Sequence, residues 1–151
     1  MSGWPPAFTF DDPRLTGVVL AFLELLFLGR VVGQLLVAMR GPRFLPPMSE
    51  WQSGLLPYRV LLASQTLILV SMTIIGAGLL TAMPWIAERR PELGALLLGL
   101  GWIYALSMVV RYAVRMACHP EARWTTRTIP IVFHAVLATW ILVLGSYVAG
   151  R

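Results

Sequence analysis

Lysine is absent from the sequence, cysteine occurs once and histidine twice. The single thiol, Cys118, excludes an intrachain disulfide and any multi-thiolate metal site. The two histidines, His119 and His134, have no paired carboxylates beside them. A hydrolytic metal centre needs such a set, so no metal is expected. There is no Ser-His-Asp pattern, no C-x-x-C and no glycine-rich phosphate loop. Catalysis is therefore not the expected role. Charge is scarce as well: charged residues make up 13% of the chain, against about 25% in a soluble domain. Hydrophobic residues make up 58%. Both departures point to lipid.

What is present is four apolar runs of bilayer length, and about 20 apolar residues suffice for a helix to cross. They predict spans over about 15–39, 58–83, 93–117 and 129–149. Short connections join them and no polar linker divides residues 1–151. The expected fold is all-α, one domain, a four-helix transmembrane up-down bundle. Residues 1–14 lack a basic stretch ahead of a short apolar core, so no signal peptide is expected. Trp4, Phe8 and Phe10 suit the membrane interface. Asp12-Pro13 reads as a capped helix start, and Pro91 and Pro130 suit first turns. Gly29 and Gly33 form a G-x-x-x-G, which lets a neighbouring backbone come close. Ser64, Ser71 and Gly78 recur every seven residues and predict a packing seam. In the long loop, Ser49 and Gln52 resemble a capping box. A brief interfacial turn over residues 50–53 is expected there, with Trp51 as its anchor.

All twelve basic residues are arginine, and the formal charge is +5. They flank or interrupt the apolar runs, so they anchor a membrane surface rather than bind nucleic acid. Arg40, Arg43, Arg59, Arg115, Arg123 and Arg127 lie on the side of the first and third loops. Arg14, Arg89, Arg90 and Arg151 lie on the side of the termini. Six against four places the first and third loops in the cytoplasm and both termini outside. A bacterial inner membrane is the expected location.

Ionisable and strongly polar groups inside spans are functional-site candidates. Gln34, Gln65, Arg111 and His134 fall on four different spans, all roughly 7–11 Å in from the side of the first and third loops. Arg30 lies about a turn deeper and Arg115 about a turn shallower. Tyr104, Ser107, Arg111, Arg115 and Cys118 step along one stripe of the third span, expected to face protein or water. The layer has an excess of cations. Candidates to neutralise it are Glu50 or Glu121 from the loops, a lipid phosphate, or a quinone-like ligand. Arg111 and His134 are expected to approach each other.

Glu24 is the one carboxylate inside a span. A lone membrane carboxylate in the first of four helices resembles the small multidrug exporters, and implies proton-coupled exchange of cations. The resemblance covers topology and this one residue; longer loops and intramembrane arginines depart from it. A structural alternative is a protonated carboxyl bonded to Tyr104 or Thr73. Haem b between His119 and His134 is a further alternative, with His134 about 8 Å inside the helix end.

The leading expectation is a non-enzymatic accessory or binding subunit. Its polar pocket would hold an anionic lipid headgroup, a quinone or a partner's acid, with membrane lipids, other membrane subunits or a second copy as partners. Reporters fused at each end and in each loop should place both termini on one side of the membrane; opposite placement would refute four spans.

Overall fold

The computed structural model describes residues 11–41, 44–51, 57–118 and 129–150, apart from the side chains of Ser49 and Glu50. Within these the chain is helical: α1 (Pro13–Arg40), α2 (Met48–Trp51), α3 (Tyr58–Leu80), α4 (Pro84–Ala87), α5 (Pro91–Cys118) and α6 (Ile129–Ala149). The four long helices are each long and apolar enough to cross a membrane. The protein is an all-α, integral membrane helical bundle. Trp4, Phe8, Phe10, Arg43, Gln52, His119, Glu121, Arg123, Arg127 and Arg151 fall outside the described residues.

The boundaries follow from local chemistry. Asp12 caps α1: its carboxylate accepts from Arg14 N at 3.0 Å, and Pro13 opens the helix. Gly41, with φ 52°, closes it in the left-handed conformation and donates its N–H to Val37 O. The second span is shorter than the apolar run suggests. It ends at Leu80, not at Met83, because Ala82 turns left-handed with φ 50° and Met83 N bonds back to Gly78 O. Pro84 then starts α4, so apolar sequence continues across a turn.

The long helices do not close into a ring. They pack in the order α3, α1, α6, α5, so α1 and α6 are inner and the other two flank them. The expected packing of every sequential pair is thus corrected at one place: α3 and α5 follow each other in the chain but barely touch. The core lies mainly along α1 and α6, with Leu20, Phe27, Val31, Trp140, Val143, Leu144 and Tyr147. Met72 and Leu79 reach it from α3.

Lipid tails are as apolar as leucine, so close packing must hold such helices together. Glycines set the approach. A Cβ on Gly94 would lie 2.2 Å from Ala149 N, and one on Gly17 would lie 2.8 Å from Leu80 N. Two expectations are corrected here. Gly29 has nothing within 4 Å, and Gly33 packs on the indole of Trp51 in α2, so among the described residues the G-x-x-x-G brings no two long helices together. Ser64 and Ser71 are exposed and bond to carbonyls of their own helix, while Gly78 packs on Ile86 of α4. The seven-residue recurrence is therefore not one seam.

At the terminal end, α4 and the turn after it are fixed onto α6. Tyr147 donates its hydroxyl to Ala87 O at 2.7 Å, and Arg90 N donates to Val148 O at 3.0 Å. Arg89 pairs with Asp11 at 2.9 Å and Arg90 with Glu88 at 2.7 Å.

Gly94→Ala should destabilise the bundle by about 1–3 kcal/mol, because the backbone of Ala149 cannot yield to a methyl group. Gly99→Ala, which meets open space, should be neutral. Unfolding by denaturing detergent compares the two variants, and equal stabilities would contradict the packing of α5 on α6.

Candidate functional site

The polar side chains gather where α1, α2, α3 and α6 meet, on the side of the first loop. Arg30 occupies the centre, with only 6% of its surface exposed. Its Nη1 donates to Gln34 Oε1 at 3.2 Å, one helical turn on. Its Nη2 donates to the carbonyl of Trp51 at 3.1 Å. Gln65 crosses from α3 and donates Nε2 to the same Gln34 oxygen at 3.1 Å. The guanidinium also lies over the Phe133 ring of α6, 5.8 Å from its centroid.

Trp51 corrects another expectation. It is not an interfacial anchor but is buried, 7% exposed. Pro46 O accepts from its indole N–H at 3.0 Å, and its six-membered ring lies against Gly33. The short α2 thus folds inward, because burying the indole brings a carbonyl to Arg30. Gly33 is needed there, since a Cβ would come within 2.7 Å of the indole.

Beside Arg30 lies a cavity of about 110 Å³. Arg30, Ser64 and Gln65 line it on one side, Tyr104 and His134 on the other, with Phe27, Ile68, Phe133 and Leu137 supplying apolar wall. The Tyr104 hydroxyl and His134 Nδ1 are 2.5 Å apart, across α5 and α6. When the hydroxyl donates, the ring proton sits on Nε2 and can serve a ligand. No carboxylate reaches Arg30 among the described residues. Gln34 Nε2 and Gln65 Oε1 are buried and unpartnered within this same set.

The expected layer therefore divides. Arg30, Gln34 and Gln65 form one hydrogen-bonded unit, with His134 across the cavity from Gln65. Arg111 and Arg115 do not line that cavity. With Ser107 and Cys118 they line a hollow along the open side of α5. His134 takes Tyr104, not Arg111, as its bonded neighbour. The stripe on α5 splits accordingly: Tyr104 lies at its inner margin, while Ser107, Arg111 and Cys118 are exposed. Among the long helices, α5 packs on α6, and the exposed part of the stripe lies away from that contact. Tyr104, Trp51 and Phe133 belong to the site without having been expected there. Only Tyr104 carried a signal, through its place in the stripe.

Glu24 lies elsewhere, in the seam between α1 and α3. It meets the hydroxyl of Thr73, whose oxygen is also 2.9 Å from Leu69 O. The contact joins α1 to α3. The haem alternative also needs His119, which lies outside the described residues, and no cluster of metal-ligating side chains occurs among the described residues. No protein family, characterised protein or solved structure matches the chain.

Gln34→Leu should cost about 1–3 kcal/mol, because it removes the shared acceptor and strands both Arg30 Nη1 and Gln65 Nε2. Unfolding in detergent checks this against Thr66→Val, which removes only an exposed bond within α3.

Proposed function

We propose that this membrane protein is a non-enzymatic binding subunit whose interior cavity takes the acidic headgroup of a membrane amphiphile. The observation that carries this reading is the buried Arg30, which has neutral acceptors but no carboxylate among the described residues. A desolvated cation of this kind favours an anion beside it. Ser64, Gln65, Tyr104 and His134 add polar lining beside Arg30, so a headgroup bearing both an acidic oxygen and a hydroxyl matches it. The cavity holds one compact group of that size.

A quinone is the second reading, favoured by the Tyr104–His134 pair, which can present a donor to a carbonyl. It leaves the charge of Arg30 uncompensated and so ranks behind. Proton-coupled export through Glu24 draws no support from the cavity, whose lining does not include that residue. The charge pattern supports placing the first and third loops on the cytoplasmic side of a bacterial inner membrane.

Arg30→Met keeps length and apolar bulk while deleting the charge. Native mass spectrometry of protein purified from its membranes should show an acidic amphiphile on the wild type. The retained fraction should fall roughly tenfold in the variant, the scale of one charge-assisted hydrogen bond. A bound quinone in place of an acid would favour the second reading, and identical spectra would overturn both.

A further inference from the structure

The two ends of the bundle differ in charge in a way that points beyond the interior cavity. At the terminal end the sequence sets Asp11, Asp12, Glu88 and Glu92 against Arg14, Arg89, Arg90 and Arg151, which cancel. Arg30 and Glu24 cancel within the spans. The whole formal charge of +5 therefore belongs to the opposite end. There the described cations, Arg40, Arg59, Arg111 and Arg115, make no ion pair with a described carboxylate, whereas Arg89 and Arg90 at the terminal end do.

Two of those cations sit on the open side of α5. Arg111 and Arg115 are one turn apart, so their guanidinium groups can converge on one ligand. They head a hollow of about 740 Å³, walled by Ile103, Leu106, Val110 and Val114. All four of these apolar residues are more than half exposed. The chemistry is therefore graded along the helix: an apolar trough toward the middle of the span, and two positive charges toward its end. α5 has 28 residues, about 42 Å, against a hydrocarbon core of about 30 Å. Arg115 thus lies near headgroup level and Arg111 a turn inside, within reach of a phosphate by snorkelling.

We propose that this face is a binding site for an anionic phospholipid. The phosphate bridges Arg111 and Arg115, and one acyl chain lies in the trough along Ile103, Leu106, Val110 and Val114. Charge complementarity selects the occupant. A zwitterionic lipid brings its own cation to the same level, and a second copy of this chain brings a net positive end. The site is separate from the interior cavity and does not depend on its occupant.

The test reconstitutes the purified protein in nanodiscs of phosphatidylglycerol and phosphatidylcholine and reads retained lipid by native mass spectrometry. Wild-type protein should retain phosphatidylglycerol selectively. Arg111→Leu/Arg115→Leu should lose that retention roughly tenfold, while Arg14→Leu, which removes an exposed cation at the terminal end, keeps it. Lipid accepts leucine here, and circular dichroism confirms the helices. A photoreactive phosphatidylglycerol, applied to wild-type protein, supplies a measurement independent of any variant: its crosslinks should map to residues 103–118. Equal retention of both lipids, unchanged retention in the double variant, crosslinks confined to other helices, or a dimer that dissociates in the double variant without change in bound lipid would each overturn the proposal.

Discussion

Hydrocarbon gives helices no reason to hide apolar side chains from one another, so this bundle depends on close backbone approach and on polar bonds made across helices. The two devices divide the molecule. Toward the terminal end, Gly17, Gly94 and Gly145 bring backbones together, and α4 bonds onto α6 through Ala87 and Tyr147. Toward the other end, the contacts are polar: one oxygen of Gln34 accepts from both Arg30 and Gln65, and so ties α1 to α3. The Trp51 carbonyl holds α2 against the same guanidinium. The glycine contacts bring backbones against their neighbours at one end, and the cavity beside Arg30 lies toward the other. The location of the candidate site is thus a consequence of how each end is held.

Much of this was legible in the residues, and the parts that were not share one cause. Spans can be read because length and apolarity are properties of single helices, and three of the four ended within two residues of expectation. Depth can be read too, since rise per residue is constant; that is why Arg30, Gln34 and Gln65 fell at neighbouring levels before any contact was known. Rotation about each helix axis could not be read. Arg111 and His134 share a depth, yet one points into the open side of α5 and the other into the bundle. Uniformly apolar spans carry little periodicity to say which side is inward. Trp51 was missed for a related reason: an indole in a loop suits an interface as well as an interior, and only the space left by Gly33 decides between them.

Arginine without lysine takes on a meaning in this light. A lysine ammonium is a compact, strongly hydrated charge, whereas guanidinium is planar, weakly hydrated and carries donors in several directions. Arg30 uses those properties together: it donates to a side-chain amide, donates to a backbone carbonyl and lies over an aromatic ring. A lysine could not meet all three from one position. At Arg111 and Arg115 the same planarity suits two guanidinium groups to one tetrahedral phosphate. The cations therefore serve different solvents. Arg30 is solvated by protein, Arg89 and Arg90 by carboxylates at the terminal surface, and the α5 pair faces the boundary where lipid headgroups begin. One residue type spans these environments because its charge can be shared among many acceptors, and where the protein supplies few, the membrane is the remaining source.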